Sequence, residues 1–345
     1  STLPHAPICL LKPKRGRRWI RFPSFVKLRL HCVHNLDKSR LAGNRDFVYN
    51  GDKRKRKIRF YAFAKERYYT MYPMKLIAPL KDYIWGGTKL KTAFGKKTDL
   101  EKVAESWQLS CHKDGSSIIE NGEYAGKTLP EYIEAAGKEV LGTDCASFEY
   151  FPILIKLIDA KDNLSVQVHP DNEYAMRVEG EYGKTEMWYI VDCEPGATLL
   201  YGFQHEISKE EFARRIADNT LLEVTNAVTV HKGDCFFIEA GTLHAIGKGI
   251  LIAEIQQNSN TTYRIYDYGR LGNDGKPRPL HVEKAKDVTR LCPPTRPTRP
   301  EGSPVDCGGY TTCLLSSCEY FTVHALSLKS EAALQVDEKS FHSLM

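Results

Sequence analysis

Short segments that alternate polar and apolar residues, separated by turns that contain glycine, dominate the chain after about residue 74. Residues 163–169 alternate in this way, so Ser165, Gln167 and His169 share one face of a predicted strand. Residues 228–254 are predicted to form three strands separated by two turns that contain glycine. The pattern predicts an all-β fold of the β-sandwich or jelly-roll type.

Helices are predicted to be few and short. Thr128-Leu-Pro-Glu131 is a capping box with a proline just inside it, which predicts a helix that ends near Ala136. Ser208-Lys-Glu-Glu211 repeats the device and predicts a helix that ends near Ala217. Both helices are small additions to a chain that consists mainly of strands.

The chain divides into four predicted segments. Residues 1–70 form a basic extension that we expect to be disordered or artefactual, and residues 71–290 form the main β-domain with its short helical segments. Residues 291–304 are a proline-rich linker. Residues 305–345 begin a second β-domain that stops too soon to close, so we expect a truncated C-terminal domain.

Charge is distributed unevenly along the chain. Residues 1–70 hold 19 of the 49 Lys and Arg but only 4 of the 43 Asp and Glu, so this segment carries +15 and the remainder −9. The basic segment is compatible with a transit peptide, a nuclear signal or a nucleic-acid arm. Because the main domain is acidic, we expect no nucleic-acid partner. No run of about 18 apolar residues exists, so no membrane association is expected. The ten Cys residues include no Cys-x-x-Cys pair, which favours a reduced, cytoplasmic protein.

Four residues that can bind a divalent metal lie in or beside predicted strands. Gln167 and His169 leave the same strand face, Glu186 lies in an apolar and aromatic segment, and His244 follows the turn at Gly241. Two neutral imidazoles, one carboxylate and one amide oxygen suit Zn²⁺ and leave room for water or substrate. Histidines that are merely buried and hydrogen-bonded are the alternative on spacing alone.

The sequence segments around these residues resemble those of a known family. Gly233-x5-Glu-Ala-Gly241-x2-His244 is similar to the second cupin motif, although Glu239 stands where proline is usual. With the segments 165–171 and 183–188, the chain resembles the type I phosphomannose isomerases, most of all their shorter bacterial members. Further matching segments occur in family order, namely 85–88, 105–110, 254–259 and 261–270.

The resemblance implies a cupin jelly roll over residues 71–290 that isomerises mannose 6-phosphate to fructose 6-phosphate through a cis-enediol. It implies one Zn²⁺ per chain, held by Gln167, His169, Glu186 and His244. A sugar phosphate is then the partner, and the chain is a monomer or a weak homo-oligomer.

The resemblance also assigns roles around the metal. The implied catalytic residues are Arg264, Lys184 and Glu254, and the implied substrate-binding residues are Lys156, Ser165 and Trp85. Arg264 holds its proton too firmly to act as a base, so electrostatic stabilisation is expected of it. Glu254 and Lys184 both remain candidates for moving the proton, as do a zinc-bound hydroxide and a histidine.

Each implied role has a simpler structural alternative. Lys184 and Glu186 share a strand face, so an ion pair between them is the alternative. Arg264 has Asp267 as an alternative partner, Ser165 is small enough to be only a strand residue, and Trp85 is of a type often found in cores. Lys156, alone in an apolar strand, is expected to contact a phosphate or a carboxylate.

Three other functions compete with the isomerase. The chain is alternatively a cupin that binds a sugar phosphate without turnover, which intact Lys184, Glu254 and Arg264 argue against. A cupin Fe(II) oxygenase would use the two histidines and Glu186 and leave Gln167 without a role. A nucleic-acid binder would depend on residues 1–70, and deletion of that segment is expected to leave catalysis intact.

Overall fold

The computed structural model describes residues 72–272 and 274–345, and the backbone of three strands between residues 25 and 63. The predicted basic extension of residues 1–70 therefore lies outside the described residues, apart from those three strands. None of the helices in the described part of the chain is both long and apolar enough to span a bilayer.

Strands account for most of the regular structure. In chain order they are β1 Phe25–Arg29, β2 Asn44–Gly51, β3 Arg56–Phe63, β4 Leu76–Ile77, β5 Leu80–Lys81, β6 Glu105–Leu109, β7 Cys111–His112, β8 Gly115–Ser116, β9 Ile118–Ile119, β10 Ile153–Ala160, β11 Val166–Val168, β12 Glu186–Cys193, β13 Thr198–Phe203, β14 Thr225–Thr229, β15 Cys235–Ile238, β16 His244–Ala245, β17 Ile250–Gln257, β18 Tyr263–Tyr266, β19 Val305–Asp306, β20 Tyr310–Ser317, β21 Thr322–Leu328, β22 Glu331–Val336 and β23 His342–Leu344.

The helices are short, as predicted. They are α1 Lys89–Thr92, α2 Leu129–Ala136, α3 Asn172–Val178, α4 Lys209–Ala217 and α5 Val282–Val288, with 3-10 turns at Lys138–Leu141, Thr143–Cys145 and Leu221–Val224. The predicted capping box is confirmed, because the Thr128 hydroxyl accepts from the Glu131 N–H and the Glu131 carboxylate accepts from the Thr128 N–H. Ser208 caps α4 in the predicted way.

Residues 79–107 and 153–299 form one compact unit, called here the sandwich unit. It holds a six-stranded sheet in the order β15-β12-β17-β10-β6-β5 and a five-stranded sheet in the order β14-β13-β16-β11-β18. One apolar cluster contains Trp188 and Phe236 of the first sheet together with Leu199 and Tyr201 of the second. The sheets therefore face each other across a shared core, as the alternating pattern predicts.

The described residues before residue 79 form a second compact unit with residues 108–152 and 300–345. It contains a five-stranded sheet in the order β19-β20-β21-β1-β23 and a three-stranded sheet in the order β2-β3-β22, in which β3 and β22 run parallel. The segment 305–345, predicted as the start of a second β-domain, contributes the strands β19 to β23.

Candidate metal centre

The four predicted metal ligands come together between the two sheets of the sandwich unit. Gln167 on β11 lies directly opposite His244 on β16, and His169 follows β11. Glu186 begins β12 in the other sheet. The Nε2 atoms of His169 and His244 are 3.1 Å apart, and the Glu186 carboxylate lies 3.5 Å from His244 Nε2 and 3.8 Å from His169 Nε2. Three residues distant in sequence thus form one buried cluster with metal-ligand geometry.

The turn before β16 fixes the position of His244. Gly241 has φ +86°, a left-handed conformation that glycine adopts without strain, and its N–H donates to the His169 carbonyl at 2.8 Å. A Cβ at this position would lie 2.7 Å from the Val288 carbonyl oxygen. The Ala-Gly-Thr sequence therefore makes a turn that links the two histidine segments directly.

Backbone carbonyls orient both imidazoles. His169 Nδ1 lies 2.9 Å from the Thr261 carbonyl oxygen, and His244 Nδ1 lies 2.8 Å from that of Thr242. A carbonyl only accepts, so each Nδ1 carries the proton and each neutral ring presents its Nε2 lone pair to the centre. Two facing lone pairs share no proton, and a cation between them would remove their repulsion.

Burial keeps both imidazoles in the neutral state that a metal needs, whereas for Glu186 it opposes the ionised state. Burial, and then the Lys184 charge, lower the pKa of His244 to about 4 and hold that of His169 well below its ordinary value. Burial, with Glu254 nearby, raises the pKa of Glu186 to about 7. Glu186 Oε1 is buried and has no hydrogen bond among the described residues. A divalent cation would be its missing partner, so these residues fit a metal ion.

Lys184 is in direct contact with the ligand atoms. Its ammonium forms an ion pair with Glu186 Oε2, lies 3.1 Å from His169 Nε2 and lies 3.7 Å from Glu254 Oε1. The predicted ion pair with Glu186 is therefore present. The same ammonium also links the metal-ligand cluster to Glu254, which the sequence alone did not indicate.

Lys156 has the carboxylate partners that its apolar strand predicts. Its ammonium lies 3.4 Å from Glu254 and 3.5 Å from Glu105. Glu105 was not among the site residues predicted from the sequence, although the spacing Glu105-x-Trp107 puts both side chains on one face of β6. The Trp107 indole N–H donates to Glu105 at 2.6 Å, and that of Trp188 donates to Glu254 at 2.9 Å.

Arg264 lies on β18 directly opposite Gln167, so it continues the row of side chains that begins at His244. Its Nε donates to the Ser165 hydroxyl at 3.3 Å, and Nη1 donates to the Pro279 carbonyl at 2.9 Å. The Ser165 hydroxyl also lies 3.4 Å from the Gln167 amide oxygen. Ser165 thus makes polar contacts to two of the predicted site residues.

Asp267, the alternative partner of Arg264, bonds two other arginines instead. Its carboxylate accepts from Arg270 Nη2 at 2.6 Å and from Arg278 Nε at 2.7 Å. Burial opposes ionisation, but these bonds outweigh it and hold the pKa of Asp267 below its ordinary value. Burial and the nearby Arg278 charge lower the pKa of Arg264.

Trp85 is placed differently from the other predicted residues. It is 4% exposed and packs in the apolar cluster of the sandwich unit, with its ring centroid 5.7 Å from that of Tyr83. This is the position that its structural alternative predicts. Its role in substrate binding stays a prediction.

The chain is similar to known proteins over most of its length. A family model described as phosphomannose isomerase type I, catalytic domain, matches residues 74–238. A probable mannose-6-phosphate isomerase, GmuF, of Bacillus subtilis is 41% identical over 263 residues, which are 76% of this chain and 82% of the relative. The mannose-6-phosphate isomerase of Streptococcus mutans is 40% identical over 263 residues, 76% of this chain and 81% of the relative.

A solved structure resembles the chain as well. The crystal structure of the mannose 6-phosphate isomerase from Bacillus subtilis superposes with a TM-score of 0.68 and 38% identity, over 74% of this chain and 79% of that one. The predicted cupin jelly roll is thereby confirmed.

Proposed function

The chain belongs to the type I phosphomannose isomerase family, and on that premise we propose that it interconverts mannose 6-phosphate and fructose 6-phosphate with one bound Zn²⁺. The observation that carries the metal is the convergence of two imidazole lone pairs and a carboxylate oxygen that lacks a hydrogen bond. Two nitrogens, one carboxylate and one amide oxygen form a donor set that suits zinc. His169, Glu186 and His244 would hold it, with Gln167 as the fourth ligand.

The reaction moves a hydrogen from C2 to C1 of the open-chain sugar. A base takes the proton from C2, its electrons form a C1–C2 double bond, and the carbonyl electrons move to O1, which gives a cis-enediolate that becomes the cis-enediol when O1 is protonated. Return of the proton to C1 and loss of the O2 proton complete the ketose, so that over both steps one hydroxyl proton passes from O2 to O1. Zinc would supply Lewis acidity that polarises the sugar oxygens.

We propose Glu254 as the group that carries the proton. Although burial opposes ionisation, Lys184 and Lys156 hold the pKa of Glu254 below its ordinary value, so the group is an ionised acceptor. Its Oε2 is fixed by the Trp188 indole, and its Oε1 has no hydrogen bond among the described residues. Oε1 faces the Lys156 and Lys184 ammoniums at 3.4 Å and 3.7 Å, and it is the oxygen that would take the proton from the substrate.

Two cations on this chain complement the charge that develops on the sugar. Arg264 keeps its proton at neutral pH, so it would stabilise negative oxygen rather than remove a proton. Lys184, between Glu186 and Glu254, would orient both carboxylates. Ser165 holds Arg264 through the contact to its Nε.

The decisive experiment combines activity with metal content. Purified protein is assayed for conversion of mannose 6-phosphate before and after chelation, and after addition of Zn²⁺, Mn²⁺ or Fe²⁺. We expect activity to disappear with the metal and to return best with zinc. In D₂O the ketose product should carry deuterium at C1, because a carboxylate exchanges its proton with solvent.

Three outcomes would contradict the proposal. Full activity without detectable metal would exclude the metal mechanism. Sugar-phosphate binding with no product over hours would indicate a non-catalytic cupin. Oxygen uptake on addition of iron would indicate an oxygenase.

A further inference from the structure

Five buried charges of alternating sign form a line across the six-stranded sheet of the sandwich unit. The line runs from Glu105 through Lys156, Glu254 and Lys184 to Glu186, and each residue is 0–7% exposed. The successive contacts are 3.5 Å, 3.4 Å and 3.7 Å, followed by the Lys184–Glu186 ion pair. One end of the line lies at the metal centre, and the other end is Glu105.

Lys156 is held from two sides. On β10 it lies directly opposite Glu254 of β17, and β6, which carries Glu105, is the neighbour of β10 on the other side. Each carboxylate is anchored by one tryptophan, Glu105 by the Trp107 indole and Glu254 by the Trp188 indole. The two carboxylates cannot easily move, so the ammonium between them takes an intermediate position.

That intermediate position matters for Glu254. A charge-assisted hydrogen bond between an ammonium and a carboxylate is about 2.7–2.9 Å long. Lys156 is 3.4 Å from Glu254 and 3.5 Å from Glu105, so both contacts are longer than such a bond. Without Glu105, Glu254 would be the one carboxylate left within 4 Å of the buried ammonium among the described residues, and Lys156 would close on it.

We propose that Glu105 is a positioning residue that draws Lys156 away from Glu254 and so preserves Glu254 as the base of the isomerisation. The inference rests on the proposed function, in which Glu254 carries the proton. Glu105 acts only through Lys156 and touches neither the metal nor the reacting carbon atoms.

The test is a double-mutant cycle on purified, zinc-loaded protein. Glu105→Gln keeps the shape of the side chain and removes its charge, and we expect kcat to fall by about tenfold, a fraction of the contribution of a general base. KM should stay within about twofold, because substrate contacts are unchanged. The zinc content should also be unchanged. In a Lys156→Met background, Glu105→Gln should have no further effect on kcat, since no ammonium remains to be moved.

Two further variants guard against a trivial loss of structure. Asp159→Asn is a control that replaces a buried carboxylate outside the line of charges. Asp159 lies on β10 and accepts from the Lys89 N–H at 2.7 Å, and its replacement should leave kcat unchanged. Trp107→Phe removes the anchor of Glu105 but keeps an aromatic ring, so it should lower kcat in the same direction by a smaller factor. Thermal unfolding of every variant identifies those that fail to fold, and Trp107→Phe replaces the cycle if Lys156→Met is among them.

The outcomes separate this inference from the proposed function. A wild-type protein that neither isomerises mannose 6-phosphate nor holds metal contradicts the proposed function itself. If the wild type is active, wild-type kcat in both Glu105→Gln and Trp107→Phe overturns the positioning role. Equal loss from Glu105→Gln with and without Lys156, or an effect confined to KM or zinc content, overturns it as well.

Discussion

Replacing His244 with alanine should remove most of the stabilisation that zinc gives to the folded protein. His244 is fully buried, its Nδ1 is held by the Thr242 carbonyl, and its Nε2 faces His169 and Glu186. Without it, the centre keeps a single imidazole. Loss of a group that merely orients a ligand costs about 10–100-fold in metal affinity, so loss of a ligand should cost at least about 100-fold.

This loss of affinity translates into a measurable shift in melting temperature. At a free zinc concentration about 100 times Kd, binding stabilises the wild type by about 2.7 kcal/mol. If Kd rises about 100-fold, the same concentration stabilises the variant by only about 0.4 kcal/mol. For a domain of about 150–250 residues, 1 kcal/mol corresponds to about 2–4 °C, so the expected zinc-induced shifts are about 5–11 °C and about 1 °C.

The assay compares shifts rather than absolute melting temperatures. Thermal unfolding of chelator-treated protein, with and without added Zn²⁺, is followed by circular dichroism. Removing a buried ring also leaves a cavity, but that cost is present with and without zinc and cancels. His231→Ala is the matched control, because the His231 side chain is 79% exposed. A zinc-induced shift in His244→Ala as large as in His231→Ala would refute the assignment of His244 as a ligand.

Two other substitutions test the ion pairs of Asp267 and the role of Arg264. Asp267→Asn should lower the free energy of unfolding by about 1.5–3 kcal/mol at pH 7, because the Asp267 bonds to Arg270 and Arg278 are charge-assisted. The pKa of Asp267 is depressed in the folded state, so this stability is present above its ordinary value of 3.8 and is lost as pH falls through the folded value. In urea unfolding, the difference in free energy of unfolding between wild type and Asp267→Asn should therefore be constant from pH 7 to about 5 and should shrink below about pH 4. A free-energy difference that grows on acidification contradicts the assignment. Arg264→Lys keeps the charge but cannot contact Ser165 and the Pro279 carbonyl together, so kcat should fall by about 100-fold with zinc content unchanged, and wild-type kcat would exclude the proposed role.

The sequence was sufficient to predict what depends on local pattern. The period-two alternation of residues 163–169 placed Ser165, Gln167 and His169 on one face, and the capping box at Thr128 marked the start of α2. Both are decided by neighbours a few residues away. Residue type made Glu186 and His244 candidate ligands as well, but their convergence depends on the pairing of two sheets, so only the family resemblance joined them to Gln167 and His169 in one site.

The contact between Glu105 and Lys156 could not be predicted from the sequence, because it depends on the order of strands in the sheet. Glu105 contacts Lys156 because β6 is the neighbour of β10, and no local pattern gives that order. Trp85 shows the converse case. A tryptophan in a matching motif suggests a contact with substrate, whereas its ring packs in the apolar cluster because its segment adjoins β10 at the Gly86–Ala160 bridge.

Net charge explains why so many ionisable groups are buried around one site. With neutral histidines, Glu105, Glu186 and Glu254 against Lys156 and Lys184 leave the cluster at −1, a poor environment for an intermediate with negative charge on oxygen. A divalent cation would change the cluster to +1, which matches the single negative charge of the enediolate. Both lysines are needed for this balance, because without them the three carboxylates and the metal would leave −1 again. The metal and the lysines therefore perform one electrostatic task, and the loss of either should disfavour the intermediate more than the substrate.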